Sequence, residues 1–237
     1  MNRIFVTGDT HRTNNYNKIR KFGLGVGSEL TKDDIMIILG DFGALWHNEN
    51  TEGYRDDLKL LDWYDTECKW TTVVVLGNHE NYDIIEKIPV TEMFGGKVRI
   101  VNNSVILLER GETYKINGKS FLAIGGGGSI DKKRRIPHIS WWKQEVIVQG
   151  DIDNALHNVA ESGYLIDYVI SHACPKEYFN LTTMFKEIDL DNSPSMLQQV
   201  FDKVTFDCWL FGHYHQEHKI DNFVCLFNTI IELGEYE

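Results

Sequence analysis

The chain has 237 residues, of which 42% are hydrophobic and 25% are charged, a composition that is ordinary for a soluble globular protein. Its formal net charge of -11 at pH 7 argues against non-specific binding to nucleic acid or to anionic membranes, although bound cations can reverse the field around a site. The sequence shows no signal peptide, no apolar run long enough to cross a bilayer and four widely spaced cysteines, so we expect a cytoplasmic protein without a membrane partner.

Short apolar runs rich in valine and isoleucine predict strands along the whole chain. In order, these runs are Arg3–Thr7, Ile35–Leu39, Thr72–Leu76, Val98–Val101, Val105–Leu108, Thr113–Ile116, Lys119–Ile124, Tyr168–Ile170 and Cys208–Phe211. The first three and the last two lack strict polar and apolar alternation, which indicates strands that are buried on both faces. Asn117-Gly118 predicts a two-residue hairpin turn, because both turn positions need a positive φ.

Helical patterns lie between these runs. Apolar residues recur at helical spacing from Ile152 to Ala160, with Asp151 as the expected N-cap, and a similar pattern extends over Tyr54–Asp65. Ser193 and Pro194 predict an N-cap and a first helical residue, with the helix continuing to about Val204. Strands alternate with helices at both ends, and no linker or repeat interrupts the chain. We therefore expect residues 1–237 to form one α/β domain with two stacked sheets flanked by helices.

Five of the predicted strands end in glycine or serine followed by a polar cluster. The clusters are Gly8-Asp9-Thr10-His11, Gly40-Asp41, Gly77-Asn78-His79-Glu80, Ser171-His172 and Gly212-His213-Tyr214-His215. The carboxyl ends of parallel strands meet at one edge of a sheet, so clusters that are distant in sequence are expected to converge there. Glycine before the polar residue allows a sharp turn and leaves space for an ion. Carboxylate together with imidazole is a ligand set that suits Mn, Fe, Zn or Ni.

Two of the clusters pair their metal-binding residues at positions i and i+2. The pairs are Asp9 with His11 and His213 with His215. In an extended chain these positions point to the same side, so each pair is expected to address one cation or two neighbouring cations. A single aspartate or histidine at a strand end is more often a cap or a core residue, and it is the five clusters together that favour a metal site.

The order of motifs D-x-H, G-D, G-N-H-E, H and G-H-x-H, from Asp9 to His215, resembles the calcineurin-like metallophosphoesterases. The resemblance implies a four-layer α-β-β-α sandwich with two mixed sheets and two divalent metals, Mn²⁺ first, with Fe, Zn, Ni or Mg as other candidates. It implies that the ligands are Asp9, His11 and His215 for the first metal, Asp41 for both metals, and Asn78, His172 and His213 for the second metal. It also implies attack on phosphorus by a hydroxide that bridges the metals, with His79 as the general acid facing the substrate.

The chain departs from the family pattern after its second motif. Residues 40–46 read GDFGALW and lack the downstream arginine that many members use to grip phosphate. We hypothesise that Arg12 supplies part of that contact, because a guanidinium group matches phosphate oxygens in geometry. The alternative is that Arg12 is merely solvated.

A second departure is the glycine-rich and basic stretch that begins at Gly125, which resembles an insertion loop of a bacterial and phage subgroup. Arg134 and Arg135 lie in its four consecutive basic residues and are hypothesised to contact an anionic substrate. Trp141 and Trp142 follow and could stack on a base. The alternative is a solvated run of charges followed by tryptophans that anchor the loop.

The sequence therefore predicts a metal-dependent phosphoesterase for a phosphorylated substrate of unknown identity. Either a phosphomonoesterase or a phosphodiesterase for small substrates fits the motifs. A nuclease or nucleotide phosphodiesterase is an alternative that rests on the basic stretch and the two tryptophans. A non-catalytic protein-binding scaffold on the same fold is a further alternative, which the complete set of candidate ligands disfavours.

Overall fold

The structure is a computed structural model that describes residues 2–12, 16–181 and 192–234. In these ranges the strands are β1 (Ile4–Thr7), β2 (Ile35–Leu39), β3 (Thr71–Val75), β4 (Val90–Met93), β5 (Gly96–Ile100), β6 (Val105–Leu108), β7 (Glu112–Ile116), β8 (Lys119–Ile124), β9 (Leu165–Ser171), β10 (Thr205–Phe211), β11 (His218–Ile220), β12 (Phe223–Cys225) and β13 (Ile230–Glu232). The helices are α1 (Tyr16–Leu24), α2 (Glu52–Thr66), α3 (Tyr82–Ile85), α4 (Gln149–Ala160), α5 (Lys176–Leu181) and α6 (Ser193–Phe201).

The strands form two mixed sheets. The first sheet has the order β13-β1-β2-β3-β6-β5-β4, and the second has the order β11-β12-β10-β9-β8-β7. The central strands are parallel in both sheets, and antiparallel strands complete the edges. Because the connections between parallel strands cross over the sheet faces, helices cover the outer side of each sheet.

Three hydrophobic cores separate four layers. One core lies between the two sheets and combines residues of both, for example Val73 with Leu210. A second core packs the first sheet against its helices, for example Val74 against Leu61 of α2. A third core packs the second sheet against α4, α5 and α6, for example Val169 against Ile152 of α4. The structure thus confirms the predicted four-layer α-β-β-α sandwich with two mixed sheets flanked by helices.

Strand β2 shows why its sequence lacks polar alternation. Ile35, Ile37 and Leu39 point into the core between the sheets, whereas Met36 and Ile38 point into the helix-covered core. Both faces of the strand are buried, so all of its side chains are apolar. This double burial is the reason that uninterrupted apolar runs predicted the central strands well.

The structure corrects two of the predicted helix starts. Helix α4 begins at Gln149 after Val148, and Asp151 lies within its first turn, where its Oδ2 accepts a hydrogen bond from the backbone nitrogen of Val148 at 2.9 Å. Asp151 therefore caps the helix from inside and is not the N-cap. Ser193 is the first residue of α6 and Asn192 is the N-cap, and the helix ends at Phe201 rather than near Val204.

The sequence analysis predicted neither the helices α1, α3 and α5 nor four of the short strands. Strands β4, β11, β12 and β13 have three or four residues each and lie at or next to sheet edges. Runs this short give too few apolar residues for a strand pattern to be recognised in the sequence. The hairpin between β7 and β8 is as predicted, with positive φ at both Asn117 and Gly118. A single domain over residues 1–237 stays a prediction. Within the described ranges, the structure has no helix with the length and apolar character needed to span a membrane.

Candidate metal centre

The five polar clusters meet at the carboxyl ends of β1, β2, β3, β9 and β10. The first three strands belong to one sheet and the last two to the other, so the site lies where the two sheets face each other. The close approach is shown by Leu39 at the end of β2, whose carbonyl oxygen accepts a hydrogen bond from His172 Nδ1 after β9 at 2.7 Å. The predicted convergence at one edge is therefore confirmed.

A first group of metal-binding atoms comprises side chains of Asp9, His11, Asp41 and His215, with one ligand atom from each lying within 4.8 Å of the others. His215 Nε2 lies 3.0 Å from Asp9 Oδ2 and 2.7 Å from His11 Nε2. His11 Nε2 lies 3.4 Å from Asp9 Oδ2. The predicted first-metal residues are thus brought together at one point.

A second group surrounds the imidazole of His172. Its Nε2 lies 3.0 Å from Asn78 Oδ1, 3.2 Å from His213 Nδ1 and 3.2 Å from Asp41 Oδ1. Because a carbonyl oxygen only accepts, His172 Nδ1 must donate to Leu39, which leaves the lone pair of Nε2 for a metal. Asp41 belongs to both groups, since its other oxygen, Oδ2, lies 3.7 Å from His11 Nε2.

The chemistry of these residues fits divalent cations. Asp9 Oδ2 is buried, and the ring nitrogens of His215 and His11 lie 3.0 Å and 3.4 Å from it, so a cation held by these three atoms would satisfy the carboxylate and both imidazoles. Burial by itself raises the pKa of Asp41, but the charge and hydrogen bond of His172, followed by the charges of His79 and His11, hold that pKa well below its usual range. Asp41 is therefore ionised at neutral pH, as a carboxylate that binds a cation must be.

The backbone of the site is not extended, which corrects the reason given for the i and i+2 pairs. His11, Asp41, His213 and His215 all have positive φ values, between 41° and 68°. His213 and His215 therefore point to different groups rather than to the same side. Residues other than glycine adopt such conformations at a cost of about 1 kcal/mol or more each, so the surrounding contacts must hold them in place.

Two glycines leave the space that the site requires. A Cβ on Gly40, which has φ 93°, would lie 2.1 Å from His172 Nδ1. A Cβ on Gly77 would lie 2.2 Å from Asp41 Oδ1. Any larger residue at either position would displace a candidate metal ligand, which confirms the expectation that these glycines leave space for the site.

His79 lies beside both groups of atoms. Its backbone nitrogen donates to Asp41 Oδ1 at 2.8 Å, and its Nε2 lies 3.9 Å from Asp41 Oδ2. The indole of Trp46 stacks on its ring with a centroid separation of 5.3 Å. Burial lowers the pKa of His79, the Asp41 charge opposes that effect and the Arg135 charge adds to it.

The three arginines predicted to bind substrate have different surroundings. Arg135 Nη2 lies 2.9 Å from His79 Nε2, and its Nε donates to Asp131 Oδ1 at 2.5 Å. Arg134 is exposed to solvent. Arg12 is directed away from the centre, with its Nε 3.1 Å from the buried carboxylate of Asp57. Only Arg135 is therefore placed with its guanidinium at the metal centre.

The structure contradicts the base-stacking role of Trp142, and it shows that the ring and the indole NH of Trp141 already have partners. The side chain of Trp142 is buried, and its Nε1 donates to Asp83 Oδ2 at 2.9 Å. Lys132 Nζ covers the ring of Trp141 at 4.2 Å from the centroid, and Trp141 Nε1 donates to Glu145. These tryptophans anchor the loop, which was the alternative interpretation, because the loop has too few other apolar side chains directed inward.

Sequence reasoning assigned no role to several residues that support the ligands. Glu80 accepts hydrogen bonds from the backbone nitrogens of Phe42 and Gly43, directly after Asp41. Ser129 accepts a hydrogen bond from Asn78 Nδ2 at 3.2 Å. Glu80 stands inside a motif and Ser129 follows the glycine run, and only their positions beside recognised residues could have signalled such roles.

Comparison with known proteins agrees with this fold. The chain resembles the structure of a putative 5'-nucleotidase from Staphylococcus aureus with 15% identity and a TM-score of 0.51, covering 99% of this chain and 51% of that one. It also aligns with a protein of unknown function from Aquifex aeolicus, AQ665, with 14% identity, a TM-score of 0.45 and coverage of 100% and 98%. A further match is phosphopantetheinyl hydrolase from Mycobacterium tuberculosis, with 16% identity, a TM-score of 0.39 and coverage of 95% and 90%.

At 15% identity the likeness to the Staphylococcus aureus structure concerns the fold alone. No curated protein matches the sequence significantly. The model of the calcineurin-like phosphoesterase family, by contrast, matches residues 2–217, which include each of the five polar clusters. The chain therefore belongs to the calcineurin-like phosphoesterase family.

Proposed function

We propose that this chain hydrolyses phosphate esters at a centre that holds two divalent metals. The observation that carries the proposal is the position of Asp41 between two groups of metal-binding atoms. One of its oxygens lies 3.7 Å from His11 Nε2 and the other lies 3.2 Å from His172 Nε2. A carboxylate shared in this way is suited to hold two cations side by side.

The proposed ligands divide between the two groups. Asp9, His11 and His215 would hold the first cation, Asn78, His172 and His213 the second, and Asp41 both. Two divalent metals bound there would supply Lewis acidity and lower the pKa of water, which is the chemistry that ester hydrolysis needs. The mixture of imidazole, carboxylate and amide donors supports Mn²⁺ as the first choice, with Fe, Zn, Ni and Mg as other candidates.

Arg135 is the proposed contact for a non-bridging phosphoryl oxygen. Its guanidinium already lies at the centre, 2.9 Å from His79, and Asp131 fixes its direction. It would replace the arginine that many family members carry after the second motif. Arg12 has no part in this proposal, because Asp57 engages its guanidinium.

His79 is the proposed proton donor to the leaving oxygen. In the structure its Nε2 accepts a hydrogen bond from Arg135, because a guanidinium group only donates. Only after Arg135 has turned to the phosphoryl group can Nε2 of His79 take up a proton from solvent and donate it to the leaving oxygen, and the departure of the Arg135 charge removes one of the causes that lower the pKa of His79. Substrate binding and the release of His79 are therefore proposed to occur together.

Phosphate monoesters are the proposed substrate class. A monoester carries up to two negative charges near neutral pH, and Arg135 adds a fixed positive charge beside the proposed metals. A phosphodiesterase acting on small substrates is the competing outcome. The nuclease alternative keeps only the basic stretch as support, because Trp142 is buried and Trp141 is covered by Lys132. The four cysteines are free thiols, which supports the proposed cytoplasmic location.

Hydrolysis of paired chromogenic substrates tests this function. We expect the purified chain in excess Mn²⁺ to turn over 4-nitrophenyl phosphate faster than bis(4-nitrophenyl) phosphate. The substitution His79→Ala should lower turnover by about a hundredfold or more, the usual contribution of a general acid. A faster rate on the diester would reverse the assigned ester class.

The metal content of the same preparation controls the experiment. A chain that retains two equivalents of Mn²⁺ and hydrolyses neither ester would contradict the proposed activity on simple esters. A chain that retains no metal and shows no activity would instead support the non-catalytic scaffold. The control substitution Lys133→Ala, on the same loop but exposed, should leave turnover unchanged.

A further inference from the structure

The side-chain amide of Asn78 has two chemically different ends, and the centre requires a particular one. Its Oδ1 lies 3.0 Å from His172 Nε2, within the group of atoms proposed to hold the second metal. Its Nδ2 points away and lies 3.2 Å from Ser129 Oγ. A rotation of the amide by 180° would direct an NH₂ group, which cannot bind a cation, at the metal.

Ser129 determines which end of the amide faces the centre. Its Oγ donates to Glu145 Oε2 at 3.0 Å, and its backbone nitrogen donates to Glu145 Oε1 at 2.9 Å. Because the hydroxyl proton is directed to Glu145, Oγ presents lone pairs to Asn78 and accepts only from the NH₂ end. The chain of hydrogen bonds therefore has one direction, from Asn78 through Ser129 to Glu145.

Glu145 is itself held from several sides. Besides Ser129, its Oε1 accepts a hydrogen bond from Trp141 Nε1 at 2.8 Å. The backbone carbonyl oxygen of Glu145 accepts a hydrogen bond from the backbone nitrogen of Gly127 at 2.9 Å. Glu145 is only 1% exposed and Ser129 only 5%, so water does not compete strongly for these bonds. A carboxylate surrounded by three donors is satisfied as an acceptor, which keeps the direction of the chain.

We propose that Ser129 and Glu145 are positioning residues that fix the Asn78 amide with its oxygen toward the second metal. Neither residue touches the proposed cations or the substrate. Their effect on metal binding would pass through the orientation of Asn78 alone. The inference rests on the two-metal centre proposed above and adds residues from the loop after Gly125 to it.

Equilibrium titration of the metal-free protein with Mn²⁺ tests the inference. The substitution Ser129→Ala should weaken binding of one of the two equivalents by about 10- to 100-fold, the usual effect of losing a residue that orients a ligand. Glu145→Gln should do the same, because its amide adds a donor where three donors already point. Ser129→Thr keeps the hydroxyl and should restore binding. Ser104→Ala is the matched control, since Ser104 is also buried, at 1% exposure, and lies before β6, away from the centre.

A double substitution separates positioning from a general loss of structure. In the Asn78→Ala background, Ser129→Ala should cause no further loss of metal affinity, because the amide that it orients is already gone. An additional loss there would overturn the inference, and so would wild-type affinity in both Ser129→Ala and Glu145→Gln. A wild-type chain that takes up fewer than two equivalents would instead overturn the two-metal function itself, so the two failures are distinguishable.

Discussion

The two groups of ligands in the centre differ in how far they are open to solvent. The side chain of His215 in the first group is 49% exposed, whereas that of His172 in the second group is fully buried. Both groups share Asp41, whose side chain is 2% exposed. We therefore expect a metal in the first group to exchange faster with solution than one in the second, because His215 can move without opening a core, although Asp9 is as buried as His172.

The supports of the two groups differ in the same direction. His215 stacks on the ring of Phe227 with a centroid separation of 4.5 Å, and Asp9 accepts a hydrogen bond from the backbone of His213. Lys18 donates to the carbonyl oxygen of Asp9 at 2.8 Å. These are contacts with the backbone and with a ring at the surface. The first group is therefore held in place by neighbours that are themselves partly exposed to solvent.

The second group is held by buried side chains and by the opposite sheet. His172 donates to Leu39 across the sheets, and Asn78 is fixed through Ser129 and Glu145. Loss of any member leaves a buried polar group unsatisfied, which costs about 1–3 kcal/mol. We therefore expect substitutions in the second group to affect both stability and metal binding, and those in the first group to affect metal binding mainly.

The largest effect is expected at Asp41, the residue that both groups share. Asp41→Ala should remove the residue shared by both groups and lower turnover on the order of a thousandfold or more, because both of the proposed metals would lose a charged ligand. Metal analysis should show fewer than two equivalents in the variant. Turnover within tenfold of wild type would contradict the shared role of Asp41.

The comparison itself is sharpened by removing one histidine from each group. His172→Ala should destabilise the metal-free protein by about 2–3 kcal/mol, because it opens a cavity in the buried side of the centre. For a chain of this size that corresponds to a Tm lower by roughly 5–10 °C in a thermal melt. His215→Ala, at the solvent edge, should change the Tm by less than a quarter of that amount while still weakening Mn²⁺ binding. Equal losses of Tm would break the comparison.

A smaller effect is expected at the arginine that approaches from outside both groups. Arg135→Ala should raise the KM for 4-nitrophenyl phosphate about 10- to 100-fold, the range for losing a charged hydrogen bond of about 1.5–3 kcal/mol. Lys133→Ala is the matched control on the same loop. Steady-state kinetics at saturating Mn²⁺ measure both. If the two variants had the same KM, Arg135 would not be a substrate contact.

The smallest effect, counted per unit of pH, is expected in the stability of the metal-free protein, and it comes from the second group. Burial alone lowers the pKa of His172, but Asp41 outweighs burial and raises that pKa to about 9, while burial and the His172 charge lower the pKa of His213 to about 4. The His172 contribution to stability is complete below the unfolded pKa of about 6.5 and is lost as pH rises toward 9. The His213 contribution is complete above about 6.5 and is lost as pH falls toward 4.

The free energy of unfolding should therefore fall as pH rises from about 6.5 to 9, by at most about 1.4 kcal/mol per pH unit for one proton, and the buried Glu80, whose pKa burial raises to about 8, should add to that decline. Urea unfolding of the metal-free protein from pH 4 to 9 measures it. Saturating Mn²⁺ should reverse the decline on the alkaline side, because imidazole binds a metal only when deprotonated. A metal-free stability that is flat from pH 6.5 to 9 would contradict the His172–Asp41 pair.

Much of the fold could be predicted from local patterns. The central strands appeared as apolar runs because each is buried on both faces, and β2 and β6 have the predicted bounds. The strands β11, β12 and β13 did not, because three residues are too few to show a period, although β12 lies inside its sheet and is buried. Helix starts were displaced because a capping carboxylate such as Asp151 can act from inside the first turn.

What the sequence alone determined about this protein is the chemistry available at the ends of its buried strands. Five strand ends with aspartate, asparagine and histidine after glycine or serine specify a metal centre, because parallel strands bring their carboxyl ends to one edge. Only the tertiary structure decided which arginine reaches that centre. Arg12, Arg134 and Arg135 have the same guanidinium group, but packing against Asp57, exposure to solvent and proximity to His79 give them different surroundings. Contacts of this kind join residues that are far apart in the chain, and no local pattern encodes them.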